Sequence, residues 1–120
     1  MLNLDTHIFL YAVTDQLKTT EAKLLRGDQW SISAICLWEI SKLSQLGRIE
    51  VDLDDPQVVR TLRSVRVWPI TVEIAKRSTR LDITGDPADE LIAATSVVHK
   101  VPLVTRDRNL RRSRIVPLLT

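Results

Sequence analysis

The sequence predicts an α/β sandwich in which helices flank a mostly parallel central sheet. Short apolar segments alternate along the chain with longer segments whose apolar residues recur at helical spacing. Parallel strands need long crossover connections, and helices usually supply them, so this alternation is typical of such a sheet. No repeat, low-complexity segment or linker interrupts the 120 residues, and we expect one domain spanning residues 1–120.

The first part of the chain predicts two strands and three helices. MLNL (1–4) is a short apolar strand that ends at an aspartate, and THIFLYAV (6–13) is predicted to be helical. TTEAKLLRG (19–27) begins with a threonine cap and stops at a glycine, as a second helix would. WSIS (30–33) is the second strand. AICLWEISKLSQLG (34–47) follows as a helix that its last glycine ends.

The middle of the chain predicts a helix, a short strand and another helix. DDPQVVRTLRSVR (54–66) opens with a capping aspartate and a proline at the first helical position. VWPI (67–70) is the short strand, and TVEIAKRSTRL (71–81) is the next helix.

The last part begins with TGDPADELIAAT (84–95), which predicts a helix that extends to about His99. Asp86 is the expected N-cap, and a proline occupies the first helical position. VPLVT (101–105) is the clearest strand of the chain because it is β-branched and bounded by polar residues. IVPLL (115–119) predicts a final edge strand.

Composition indicates a globular protein with no membrane span. Hydrophobic residues make up 44% of the chain, and apolar runs last only a few residues. The N-terminal segment has no basic region, so we expect no signal peptide and a cytoplasmic location. The single cysteine, Cys36, is predicted to be a buried apolar residue. His7 and His99 lack metal-ligand spacing and are interpreted as ordinary structural or surface histidines.

Positive charge is concentrated in the tail, residues 105–120. The tail carries five arginines against one acid. They are Arg106, Arg108, Arg111, Arg112 and Arg114. Such a patch binds phosphate groups or an acidic protein partner.

Four acids, remote from one another in sequence, are predicted to meet. Asp5 and Asp107 each follow a predicted strand, and the carboxyl ends of parallel strands share one edge of a sheet. Glu39 lies on the apolar face of its helix, and Asp89 heads the inward face of its helix. Each acid also has a simpler structural interpretation. Asp5, Asp89 and Asp107 could serve helix starts, and Glu39 could pair with Lys42.

A cluster of four carboxylates would bind a hard divalent cation. Two carboxylates 4 Å apart repel by about 4 kcal/mol at an effective dielectric constant near 20. A raised pKa or a bound cation relieves that repulsion. Oxygen ligands without a Cys and His set favour Mg²⁺ or Mn²⁺ over zinc.

Four motifs in this order resemble those of PIN-domain ribonucleases, specifically the VapC toxins of VapBC toxin–antitoxin pairs. The motifs are LNLDTH, LWEISKLSQLGRIEV, GDPADELIAAT and PLVTRDRNL, and the resemblance spans residues 1 to about 116. It implies a PIN-like three-layer sandwich and a metal-dependent endoribonuclease. The four acids of the family fall on Asp5, Glu39, Asp89 and Asp107.

The resemblance also assigns supporting roles. Thr105 would orient a ligand or water, and Asp86 would be a helix cap first and a support for the metal ligands second. Glu90 stands where many relatives carry arginine. Arg106, Arg108, Arg111 and Arg112 would hold the RNA backbone, since most aromatic residues are predicted to lie in the core. These aromatic residues are Phe9, Tyr11, Trp30, Trp38 and Trp68.

Relatives of this kind form homodimers and are inhibited by an antitoxin that covers the cleft, so the resemblance implies both for this chain. One alternative is a catalytically silent PIN-like module that binds RNA or protein. Another is a receiver-type signalling domain, which would need a phospho-acceptor aspartate on a central strand and a lysine after the last strand. The last strands are instead followed by Arg106 and Arg108.

Overall fold

A computed structural model describes residues 1–119 as a four-stranded parallel sheet flanked by helices. The strands are β1 (Leu2–Leu4), β2 (Trp30–Ser33), β3 (Arg66–Trp68) and β4 (Leu103–Val104). They lie in the order β3-β2-β1-β4, with every pair parallel. The predicted α/β class is confirmed.

Within residues 1–119, seven helices connect and follow the strands. They are α1 (Thr6–Val13), α2 (Thr19–Leu25), α3 (Ala34–Gln45), α4 (Pro56–Leu62), α5 (Val72–Ser78), α6 (Pro87–His99) and α7 (Arg108–Arg111). The first six match helices that the periodicity and caps predict, whereas the one-turn α7 lies within the arginine-rich tail. Among the residues that the structure describes, no helix is long and apolar enough to cross a membrane.

The core consists of apolar side chains from β1, β2 and β4 and from the helices that cover them. Ile32, Ile92 and Leu103 are fully buried in it. Cys36 is fully buried too, as predicted, and burial raises the pKa of its thiol to about 12. It is therefore unreactive near neutral pH.

Helix α6 contributes a run of buried residues to the core. Residues 92–96 are all buried, and two of them are alanines that allow neighbouring elements to approach. Pro87 occupies the first helical position, and Lys100 ends the helix in the left-handed conformation, with φ of 56°. This packing fixes the N-terminal turn of α6, which carries Asp89.

Three sequence-based expectations need correction. The segment 115–119 is not a strand but forms an isolated bridge between Leu103 and Leu118, because Pro117 lacks the N–H that a continued ladder requires. The short strand covers 66–68 rather than 67–70. Trp38 is 58% exposed and lies outside the core, since the face of α3 that bears it points away from the sheet.

Candidate active site

The strand order brings the two ends of the chain together at one edge of the sheet. β1 and β4 are parallel neighbours, so the residues that follow them, Asp5 and Thr105, leave the sheet side by side. The backbone N–H of Asp5 donates a 3.1 Å hydrogen bond to the carbonyl oxygen of Val104. This contact fixes the chain at the point where the candidate site begins.

Asp5 is an almost fully buried carboxylate, only 6% exposed. The hydroxyl of Thr105 donates to its Oδ2 at 2.6 Å. Burial raises the pKa of Asp5, while the hydrogen bond from Thr105 and the nearby His7 act in the opposite direction. A charged carboxylate at this depth needs such partners, and a cation would stabilise it further.

Glu39 enters the same region from α3. The hydroxyl of the buried Thr6 donates to its Oε1 at 2.5 Å. Burial raises the pKa of Glu39, and the negative charge of Asp5 adds to the effect of burial. The alternative interpretation, an ion pair with Lys42, is not observed, because the ammonium group of Lys42 donates to Gln45 at 2.9 Å.

The carboxyl group of Asp89, on the first turn of α6, is strongly perturbed as well. Burial and the surrounding negative charges raise its pKa to about 7. The charges that act on it are those of Asp5, Asp107, Glu39 and Asp86, in decreasing order. Among the described residues, no side chain or backbone group donates a hydrogen bond to Asp89 that would offset this repulsion. The half-buried carboxyl group thus responds to four other acids at once.

Asp107 has a structural role as well as a place near the other acids. Its carboxylate caps α7 by accepting a 3.0 Å hydrogen bond from the backbone N–H of Leu110. Its own N–H donates to the hydroxyl of Thr105 at 3.0 Å. Asp107 therefore acts as a helix cap, and it also lies in the same region as the other three acids.

A single cleft of about 310 Å³ collects these side chains, and we call it the acidic cleft. Its polar lining consists of Asp5, Glu39, Asp86, Asp89, Asp107, His7, Tyr11 and Arg106. Within residues 1–119, however, no three His, Cys, Asp or Glu side chains lie close enough together to ligate one ion. Hydrogen bonds to neighbouring groups hold Asp5, Glu39 and Asp107 in the positions observed.

Asp86 and Glu90 differ in their relation to the acidic cleft. Asp86 occupies the N-cap position of α6, as predicted, but its carboxylate accepts no capping hydrogen bond. It instead lines the acidic cleft. Glu90 is not among the lining residues of this cleft, and its backbone N–H donates to the carbonyl oxygen of Asp86.

Comparison with known proteins identifies the family. A model described as "PIN domain" matches residues 3–115. The chain belongs to the PIN-domain family. Ribonuclease VapC22 of Mycobacterium tuberculosis is 32% identical to this PIN domain over 117 residues, which cover 92% of this chain and 90% of that protein. The similarity places the chain among the VapC proteins.

Solved structures of low sequence identity share the same fold. VapBC2 from Rickettsia felis, bound to a DNA fragment from the promoter, has a TM-score of 0.75 at 19% identity and covers 99% of this chain and 98% of its own. A toxin–antitoxin complex from Klebsiella pneumoniae has a TM-score of 0.74 at 21% identity, and the match covers 100% of this chain and 97% of its own. FitAcB from Neisseria gonorrhoeae has a TM-score of 0.74 at 18% identity, and the match covers 100% of this chain and 97% of its own.

Several polar residues of this PIN domain escaped the sequence argument. Thr6 directly follows Asp5 and is a small polar residue at the start of a mostly apolar helix. This position was the feature of the sequence that could have indicated a buried hydrogen bond. His7 and Tyr11 line the acidic cleft at one-turn spacing on α1. Their spacing placed them on one face, but the sequence did not indicate that this face borders the acids.

The tail arginines take different positions in this PIN domain. Arg106 forms two 2.6 Å hydrogen bonds with Glu21 and lies 4.1 Å above the Tyr11 ring. Binding of RNA by Arg106 stays a prediction, and it would require this arginine to exchange its partner. Arg111 donates to the carbonyl oxygen of Thr105 at 3.2 Å. Arg108 and Arg112 are exposed, away from the acidic cleft.

Proposed function

We propose that this PIN domain is a divalent-metal-dependent endoribonuclease that hydrolyses RNA phosphodiester bonds. The observation that carries the proposal is the gathering of five carboxylates around one small cleft, where burial and the charges of the other four raise the pKa of Asp89 to about 7. Carboxylates accumulate in this way at sites that bind cations, and strongly perturbed acids in a cleft are characteristic of functional sites. The name of the relative, Ribonuclease VapC22, supports RNA as the substrate.

The donor chemistry of the acidic cleft fits Mg²⁺, with Mn²⁺ as a second candidate. Carboxylate oxygens predominate among the groups that line the cleft within residues 1–119, with His7 as the one imidazole, and the buried Cys36 thiol is protonated at neutral pH. We propose that Asp5, Glu39, Asp89 and Asp107 hold the cation, directly or through water. A positive charge among these carboxylates would offset their mutual repulsion.

The bound cation would activate a water molecule for attack on the phosphodiester and stabilise the leaving oxygen. The residues of the chain supply position and charge. Thr105 orients Asp5, and Thr6 orients Glu39. Helix α6 carries Asp89 in its first turn, where this residue lines the acidic cleft. Asp86 adds negative charge nearby without belonging to the ligand set.

We further propose that the chain is the toxin of a toxin–antitoxin pair and that a small antitoxin covers the acidic cleft. Similar structures include VapBC2 and a toxin–antitoxin complex, and this supports a partner of that kind. An arginine side chain from the antitoxin would neutralise the cleft and occupy the position of the cation. Co-expression with the product of a neighbouring small gene, followed by copurification and loss of cleavage, tests this proposal.

We also propose that the chain forms a homodimer. Two large apolar side chains of the α3 region, Trp38 and Leu46, are 58% and 54% exposed, and contact with a second copy would cover such groups. Light scattering at high concentration tests the proposal, since a strict monomer would contradict it.

The nuclease proposal is tested by incubating total cellular RNA with the purified protein in Mg²⁺ or in chelator. We expect discrete fragments that require Mg²⁺ with the unsubstituted protein and none with folded Asp89→Asn. Asp54→Asn is the matched control, because it removes one exposed acid outside the acidic cleft. Absence of cleavage by folded, antitoxin-free protein would contradict the proposal and favour a catalytically silent RNA- or protein-binding module.

A further inference from the structure

The acidic cleft poses an electrostatic problem for an RNA substrate. Five carboxylates line it, and each repels the phosphate groups that must approach it. Binding therefore needs cationic groups beside the cleft in addition to a metal inside it. The inference below depends on the proposed function, since it takes RNA as the substrate and asks where its backbone is held.

A second cavity, of about 660 Å³, opens directly beside the acidic cleft, and we call it the basic cavity. Two residues connect them. Thr105 lines the basic cavity and donates its hydroxyl hydrogen to Asp5. Arg106 lines both spaces. The basic cavity and the acidic cleft are therefore adjacent, with Thr105 and Arg106 at their boundary.

Three cations of the basic cavity have no acidic partner within hydrogen-bonding distance in the described part of the chain. Lys18, Lys23 and Arg111 are exposed and line the cavity. The one acid in the lining, Glu21, is already paired with Arg106 at 2.6 Å, so those two charges offset each other. The guanidinium group of Arg111 donates to the carbonyl oxygen of Thr105, the residue whose hydroxyl group contacts Asp5.

The remaining lining of the basic cavity suits a nucleic-acid backbone. Leu24 and Leu119 are partly exposed and provide apolar surface against which a ribose can pack, and the described lining contains no aromatic side chain for base stacking. Such a cavity holds phosphates without reading sequence. Arg108 and Arg112 line neither space, so they are less suited to this role than the two lysines.

We propose that the basic cavity binds the phosphodiester backbone of an unpaired RNA strand where it enters the acidic cleft, with Lys18, Lys23 and Arg111 as the phosphate ligands. Each phosphate contact releases counterions, so the logarithm of the binding constant falls with the logarithm of salt concentration. The slope for single strands is about −0.7 per contact. The slope therefore reports the number of phosphate contacts, and its measurement does not require cleavage of the RNA.

The test measures binding of a single-stranded RNA of about twelve nucleotides by fluorescence anisotropy, in chelator, between about 50 and 200 mM salt. We expect Lys18→Gln combined with Lys23→Gln to reduce the size of the slope by about 1.4. The control combines Lys76→Gln with Arg77→Gln on α5, which removes the same charge from exposed positions outside both spaces. The control should change the slope by less than about 0.5.

Equal slopes for the lysine pair and the control pair would overturn the inference, as would an unsubstituted protein that binds no RNA. A lysine pair that weakens binding of a polyglutamate peptide while leaving the RNA slope unchanged would indicate an acidic protein partner instead, and would also overturn it. If the unsubstituted protein cleaves RNA in Mg²⁺ but the lysine pair leaves the salt slope unchanged, this inference is wrong while the nuclease proposal stands. Changed slopes without cleavage support the basic cavity while contradicting the nuclease proposal.

Discussion

The hydroxyl of Thr105 donates a 2.6 Å hydrogen bond to Asp5 across a sequence separation of 100 residues. The same hydroxyl accepts from the backbone N–H of Asp107 at 3.0 Å. One oxygen atom therefore links two of the four acids that the motifs single out. Thr105 acts as a positioning residue because it holds these acids in a fixed relation at the carboxyl edge of the sheet.

Removal of this hydroxyl should impair metal binding and cleavage together. We expect Thr105→Val to lower Mg²⁺ affinity about 10–100-fold, the usual effect of removing a hydrogen-bond partner of a metal ligand. Thr105→Ser keeps the hydroxyl and should restore most of the affinity. Calorimetric titration with Mg²⁺ measures the effect, and equal affinity in the valine and serine variants would show that the hydroxyl has no positioning role.

Thr6 should support Glu39 in the same manner, but from within the core. Thr6→Val preserves the shape of a side chain that is 1% exposed while removing the hydrogen bond to Glu39. We expect the rate of RNA cleavage to fall about 10–100-fold and the carboxyl pKa of Glu39 to rise, because the bond from Thr6 lowers it. NMR titration of the Glu39 carboxyl group measures the second effect. A lower rate with no change in this pKa would indicate general repacking instead.

Asp89 should make the stability of the metal-free protein depend on pH. Its pKa is raised from 3.8 to about 7, so the folded state binds this proton more tightly than the unfolded chain, and stability falls as pH rises through that interval. Asp89→Asn removes the effect. Since the group is half-buried, we expect a gain of about 1–2 kcal/mol in the free energy of unfolding at pH 8 and almost none at pH 4.

Denaturation at the two pH values in chelator measures this difference, and Asp54→Asn again provides the control. A gain of equal size at both pH values would contradict the assignment of the raised pKa to Asp89. Mg²⁺ should stabilise the unsubstituted protein and have a smaller effect on Asp89→Asn, because a ligand stabilises only through the sites it binds.

Asp86 should affect electrostatics more than helix stability. Its carboxylate makes no capping hydrogen bond, so we expect Asp86→Ala to cost about 0.5 kcal/mol, the lower end of the usual range for a lost cap. Removing this charge should lower the pKa of Asp89 below about 7. Carboxyl titration by NMR tests the shift. A loss near 2 kcal/mol with no shift in the pKa of Asp89 would restore the role of Asp86 as a cap.

The sequence predicts the architecture well because local patterns determine it. The extent of α6 follows from Pro87 and the apolar spacing beyond it, and the convergence of Asp5 and Asp107 follows from the geometry of parallel strands. Contacts between remote side chains are less accessible. The hydrogen bonds from Thr6 to Glu39 and from Arg106 to Glu21 depend on distances that only the packed chain defines.

Errors in the sequence-based predictions have equally specific causes. The segment 115–119 has the composition of a strand, but its proline interrupts the ladder. Asp86 lies at the predicted cap position, yet its side chain is free to point into the acidic cleft. Trp38 is apolar but adjoins Glu39 on α3, and the face of the helix that is buried could not be deduced from the residue type alone.

The pairing of β1 with β4 has a consequence for the timing of synthesis. During synthesis Asp5 and Glu39 emerge from the ribosome first, and Thr105 follows 100 residues after Asp5. Strand β4 must close a loop of about a hundred residues before these groups meet, and such long-range pairing is a late event in folding. The carboxylate cluster therefore forms only after β4 has paired with β1, late in the folding of the chain.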